Sequence, residues 1–226
     1  MVTNRVTVCN PIAKLLIVDK HPVTREGLAA RIEREKDLQV VGEAAEFHEA
    51  CRLVDETNPD VVLIDNCLGH GDGLELVKLL KSRGYPAKLL VWSCHNDPLY
   101  AERALRAGAM GYVRKEESVD TIIEAIRRVL AGGIYLNPDM MDLLVRRNVA
   151  GIDRDVTVEA LDELSDRELT VFRMTGEGLD TYEIASRLRV SPKTVETYKA
   201  RIKDKLGIES GSEVLVRAVR WVVRNE

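Results

Sequence analysis

The sequence predicts a doubly wound α/β domain with five parallel strands, followed by a small all-α domain. Three observations point there. Between residues 12 and 133, five short apolar runs alternate with five helical patterns, the order expected of a parallel sheet covered on both faces. Four of those runs lead into a polar residue: Asp19, Asp65, Ser93 and Lys115. Residues 161–226 hold helical patterns alone, opened by capping or breaking residues.

Taken in order, Leu15–Val18 is the first strand and ends at Asp19. Thr24–Arg34 follows as a helix, with Leu28 and Ile32 one turn apart. Val40–Gly42 is the second strand and Glu46–Glu56 the second helix, with Pro59 breaking the chain after it. Val61-Val62-Leu63-Ile64 is an unbroken apolar strand running into Asp65. Gly73–Arg83 turns Leu74, Val77 and Leu80 inward. Lys88–Val91 is a strand leading into Trp92-Ser93, and Pro98–Arg106 the fourth helix. Gly111–Val113 is the last strand, and Ser118–Ala131 a helix with Ile122, Ile126, Val129 and Leu130 apolar. Asp139–Arg147 reads as a linker helix and the polar stretch Val149–Glu159 as a flexible joint. The domain limits are therefore 12–133, a linker at 134–160, and 161–226.

The last domain is legible from its caps. Ser165 with Glu168, and Asp180 with Glu183, are capping boxes. Met174–Gly178 separates the two helices, and Ile184, Ala185 and Leu188 form the apolar stripe of the second. Ser191-Pro192 opens a third helix that stops at Gly207. Val195, Ile202 and Leu206 share one face of it, flanked by Tyr198 and Lys199. Lys193, Thr197, Ala200, Arg201 and Asp204 share the other, with Glu196 and Lys203 at its edge. A helix anchored on one side, with small, polar and cationic groups on the other, suits the DNA major groove. Charge runs usually only solvate a surface; here the helix–turn–helix order outweighs that reading. Ser212–Val223 is a final helix with Val214, Leu215, Ala218, Val219 and Val222 apolar, closing the small core, pairing two copies, or both.

Composition excludes several classes. The net charge of −4 over 226 residues argues against a general polyanion binder. The window 191–205 nevertheless carries five cations against two anions, a local patch of the kind a site requires. Apolar runs are too short to span a membrane. Four scattered cysteines, Cys9, Cys51, Cys67 and Cys94, have no metal spacing and fit a reduced cytoplasm. His21, His70 and His95 read as loop residues.

Two resemblances follow from these residues. Leu164-Ser165, Arg167-Glu168, Gly178, Glu183-Ile184-Ala185, Leu188, Val190-Ser191, Lys193-Thr194-Val195 and Leu206-Gly207 resemble the LuxR-type helix-turn-helix. Ile17-Val18-Asp19 with His21-Pro22, Pro59-Asp60, Val61–Asp65, Asp72-Gly73-Leu74-Glu75, Ala107-Gly108-Ala109, Gly111-Tyr112 and Lys115 resemble the flavodoxin-like receiver of two-component response regulators. Together they resemble the NarL/FixJ subfamily.

The resemblance implies a cytoplasmic, sequence-specific transcription regulator rather than an enzyme. Asp65 would accept a phosphoryl group from a histidine kinase, with Mg²⁺ on Asp19 and Asp65 offsetting the charge. Lys115 and Ser93 would contact the phosphoryl oxygens and Tyr112 would be the switch aromatic. Double-stranded DNA would be bound by a homodimer. Lys193, Lys199, Arg201, Lys203 and Lys205 would lie at the backbone, Glu196, Thr197 and Ala200 at the base edges, and Thr194 would belong to the same DNA-binding set. One residue departs from the pattern. The family carries two adjacent acids after the first strand, and here the pair is Asp19-Lys20. Lysine removes a metal ligand and adds a cation, so metal-dependent phosphorylation is expected to be weak. A regulator controlled by a partner, dimerisation or another input is the alternative. Gly69 stands where proline is common, predicting a looser loop. An enzyme on this sheet would need a glycine-rich phosphate loop or a nucleophile–base pair, and the sequence has neither.

Overall fold

The computed structural model describes residues 11–68, 72–94, 98–149 and 161–224. The expected joint at 149–159 lies almost wholly outside them, as do Cys9, Gly69, His70 and His95. Five parallel strands form one sheet: β1 (Ala13–Val18), β2 (Leu38–Ala44), β3 (Val61–Asp65), β4 (Lys88–Ser93) and β5 (Gly111–Arg114). Their spatial order is β2-β1-β3-β4-β5. The order reverses between β1 and β3, and ligands gather beyond the strand ends at such a reversal.

Helices cover both faces because the strands are apolar on both. Leu15 and Ile17 pack under α1 (Pro22–Ile32) and α5 (Val119–Leu130). Leu16 and Val18 pack under α2 (Phe47–Thr57), α3 (Gly73–Ser82) and α4 (Pro98–Ala107). β2 runs from Leu38 to Ala44, beyond the expected Val40–Gly42. It is an edge strand, so its partly exposed residues dilute the apolar signal that marks the central strands.

The linker helix α6 (Pro138–Val149) buries Met140 and Leu144. Beyond it come α7 (Asp166–Gly176), α8 (Thr181–Leu188), α9 (Pro192–Leu206) and α10 (Gly211–Arg224). Both expected capping boxes form, at Ser165/Glu168 and Asp180/Glu183. Arg189 takes a left-handed conformation at φ 51° to turn the chain from α8 into α9. On α10, Val214, Ala218, Trp221 and Val222 are buried, while Leu215, Val216, Val219 and Val223 stay exposed. No helix among the described residues is long and apolar enough to cross a membrane.

One face of the sheet and the C-terminal helices share a single apolar core. Trp221 of α10 joins them: its ring lies 6.3 Å from Tyr100 of α4 and 5.8 Å from Phe172 of α7. Asp166, the first residue of α7, takes an ion pair from Lys78 of α3 at 2.7 Å and one from Arg103 of α4 at 3.0 Å. Arg103 also donates to the Leu161 carbonyl at 2.7 Å. Arg189 reaches Glu46, just before α2, at 2.9 Å. The helical domain is thus folded down onto the carboxyl-end face of the sheet.

Two glycines test this packing. A Cβ on Gly73 would lie 2.2 Å from the Asp65 carbonyl oxygen, whereas one on Gly27, within α1, would meet nothing within 4 Å. Gly73→Ala is expected to lower stability by about 1–3 kcal/mol. Gly27→Ala is expected to raise it by about 0.5–1 kcal/mol. Urea midpoints of the two variants provide the check.

Candidate functional site

The site is built where strands run out. Asp19 follows β1, Asp65 ends β3, Ser93 ends β4 and Lys115 follows β5. The ladder continues into these positions: Asp19 N–H donates to the Ala44 carbonyl and Lys115 N–H to the Ser93 carbonyl, both at 2.9 Å. Backbone pairing therefore aims the side chains into one pocket.

Lys115 is the cation inside it. Its ammonium donates to Asp19 Oδ2 at 2.6 Å and lies 3.0 Å from Asp65 Oδ2, an ion pair outside hydrogen-bonding geometry. The same ammonium sits over the Trp92 ring at 4.9 Å. Asp19 is fully buried and Asp65 only 2% exposed. Burial raises the Asp65 pKa, against the attraction of Lys115 and with the repulsion of Asp19. Burial opposes the charge on Lys115 too, but Asp65 and Asp19 more than offset that and its pKa is raised.

Lys115 holds the carboxylates, and Lys20 borders the cavity beside them. Tyr112 is buried in the sheet core and does not line that cavity.

His21 is more than a loop residue. Its Nδ1 lies 3.0 Å from Asp19 Oδ1 and 4.0 Å from Asp65 Oδ2, and its backbone N–H donates to Asp19 Oδ1 at 2.7 Å. One ligand atom each from Asp19, His21 and Asp65 falls within 4.8 Å of the others. Sequence spacing could not reveal this, because Asp65 comes from another strand. Two carboxylates already engaged by an ammonium, plus an imidazole nitrogen, fit Mg²⁺ poorly, since that ion prefers oxygen ligands in octahedral geometry. Cys67 is no reactive thiol: burial pushes it up to about 12. Burial raises Cys94 as well.

The pocket has a roof, which the sequence did not predict. A cavity of about 170 Å³ is lined by Lys20, Asp65, Ser93 and Lys115 on one side, and by Arg173, Glu177 and Arg187 on the other. Those last three residues belong to the helical domain. Arg173 donates to Glu177 at 2.8 Å, and its guanidinium lies 6.0 Å from the Tyr100 ring centre.

On α9, Lys193, Glu196, Thr197, Ala200 and Arg201 are exposed, and Thr194, Lys199 and Lys203 are half-buried. Val195, Ile202 and Leu206 are buried, as their spacing predicts. Two cations are already engaged. Lys205 donates to Glu168 Oε2 at 2.7 Å and to the Glu163 carbonyl at 3.0 Å, tying α9 to the cap of α7. Burial opposes the Glu168 charge, but Lys205 and Ser165 more than offset it and lower its pKa. Lys199 donates to Thr181 Oγ1 at 2.8 Å, and Thr181 donates to Glu196 at 2.6 Å. Thr181, at the start of α8, was missed because its partners lie a helix away in sequence.

Family models match both halves: the response regulator receiver domain over residues 15–127 and the LuxR family of bacterial regulatory proteins over residues 162–218. The response regulator GacA of Pseudomonas aeruginosa is 36% identical over 208 residues, covering 92% of this chain and 95% of that one. The oxygen regulatory protein NreC of Staphylococcus carnosus is 33% identical over 210 residues, covering 92% and 97%. A crystal structure of a LuxR-family two-component response regulator from Aurantimonas sp. SI85-9A1 superposes with a TM-score of 0.58. It shows 36% identity and covers 61% of this chain and 98% of its own.

Asp72, which caps α3, offers a pH test. Burial, reinforced by the charge of Asp166, pushes its carboxyl up to about 7. A raised acid pKa contributes stability below the unfolded value near 4, and that contribution is lost as pH rises through about 7. Wild-type stability is expected to fall by about 2 kcal/mol between roughly pH 5 and 7.5. Asp72→Asn, which keeps the cap acceptor, should flatten that slope in urea titrations at both pH values.

Proposed function

Since the chain belongs to the response regulators that join a receiver to a LuxR-type DNA-binding domain, we propose that it regulates transcription through a receiver with little help from a metal ion. Residues 12–133 are the receiver, 134–160 the linker and 161–226 the DNA-binding unit. Asp65 is the phosphoacceptor. Its carboxylate attacks the phosphorus of the donor, and the donor's leaving group departs with its bonding electrons. Lys115 neutralises oxygen charge in the pocket and the Ser93 hydroxyl faces the incoming group. The observation that carries this reading is the Lys115 ammonium between Asp19 and Asp65, 2.6 and 3.0 Å away. It supplies positive charge where Lys20 has removed a metal ligand. Mg²⁺, where it binds at all, gains only Asp19 and Asp65 as carboxylate ligands.

DNA is read by α9. Lys193, Thr194 and Arg201, with Lys199 and Lys203 at the edges, contact phosphates. Thr197 and Ala200 offer methyl groups to thymine, and Glu196 an acceptor to a cytosine amino group. Lys205, though exposed, is held by Glu168. The exposed apolar residues Leu215, Val216, Val219 and Val223 of α10 support pairing of two copies on a two-fold site. A histidine kinase is the phosphoryl source, and the cytoplasm is the compartment.

Two measurements check this. Acetyl phosphate with Mg²⁺ is expected to label Asp65 slowly and incompletely, and Lys20→Asp to accelerate it; rapid stoichiometric labelling of the wild type would refute the metal-poor receiver. In binding titrations across a salt series, Lys203→Ala should weaken binding to every duplex and reduce the salt slope by about 1. Thr197→Ser should change preference among duplexes instead, while Lys205→Ala should lower stability and leave the slope unchanged.

A further inference from the structure

Two cations from opposite halves of the chain look into one cavity. Lys20 extends from the loop after β1, and Arg187 from the last turn of α8. Both line the cavity of about 170 Å³ above Asp65. Both also line the smaller cavity beside Asn66 and Asp72. The other charges on the larger cavity's walls are engaged. Lys115 is held by Asp19 and Asp65, His21 by Asp19, and Arg173 by Glu177. Among the described residues, Lys20 and Arg187 make no ion pair. Juxtaposed like charges across an interface oppose its closure. Yet the halves are closed here by the Trp221 aromatic contacts and the Asp166 ion pairs.

We infer that this cavity binds a small oxyanion, clasped between Lys20 of the receiver half and Arg187 of the DNA-binding half. This rests on the reading of the Asp65 pocket as the signalling pocket, and names what regulates it. A guanidinium fork and an ammonium suit the oxygens of phosphate or a like anion. The cavity of about 170 Å³ has room for such an ion. The oxyanion is either free in solution or the phosphoryl group on Asp65. In both cases it neutralises a repulsion that otherwise works against closure, so occupancy holds the halves together. Lys20, which spoils a metal site, thereby becomes half of an anion site.

The test is calorimetric titration of the full-length, metal-free chain with inorganic phosphate in dilute chloride buffer. The wild type is expected to bind. Lys20→Gln and Arg187→Gln should each weaken binding tenfold or more, and Arg187→Lys should restore part of it. Asp65→Asn should still bind, since it removes a carboxylate and no cation. A second arm treats the chain with acetyl phosphate and reads compaction by small-angle scattering. Compaction that requires both Asp65 and Arg187, without binding of free phosphate, assigns the oxyanion to the phosphoryl group and upholds the clasp. An Arg187→Gln variant that behaves as wild type in both arms overturns it, as does silence in both. Labelling of Asp65 is followed separately by mass. Fast, stoichiometric labelling refutes the metal-poor receiver and leaves the clasp to be decided by the two arms. Phosphate binding through both cations without any labelling keeps the clasp and removes Asp65 as phosphoacceptor.

Discussion

An ammonium held between two buried carboxylates governs the rest of the structure. Asp19 and Asp65 end neighbouring strands at the point where strand order reverses. Two unit charges about 4 Å apart interact by roughly 4 kcal/mol at an effective dielectric near 20. Left alone, the two acids would force one of them to protonate. Lys115 resolves this by reaching both. It can do so only because β5 ends level with β4, with Ser93 opposite Arg114 and the Lys115 N–H on the Ser93 carbonyl. Strand register thus decides which cation meets the acids at the sheet's end.

The same end of the sheet is where the DNA-binding half comes down. An apolar contact through Trp221 and a polar one through Asp166 hold it from two directions. Apolar burial favours closure without specifying register, whereas ion pairs are directional. Asp166 receiving both Lys78 and Arg103 sets the position of α7 above the pocket. Asp65 and the C-terminal helices are then coupled by geometry, because Arg173, Glu177 and Arg187 of α7 and α8 line the same cavity as Asp65.

Much of this was legible in the chain. The apolar runs ending in Asp19, Asp65 and Ser93 marked both the parallel sheet and the pocket, since an unbroken apolar strand that ends in a polar residue points to a site beyond the strand ends. Capping boxes marked α7 and α8 because those hydrogen bonds span only three residues. The buried face of α9 followed from helical period alone. Less local features escaped: the full length of β2, the grip of His21 on Asp19, the Thr181 hydroxyl between Lys199 and Glu196, and the tie of Lys205 to Glu168. Each depends on a partner from a different element, which no periodicity encodes.

The sequence by itself determined the order of elements, the residues at the strand ends, the buried face of α9 and the anomaly of Lys20, because all of these are local in chemistry or spacing. Only the tertiary structure decided that Lys115, and not Lys20, pairs with the acids, and that Arg187 and Lys20 line one cavity. The reason is physical. Which of several cations pairs with a buried acid is set by distance and desolvation, and those exist only once strands far apart in sequence lie side by side.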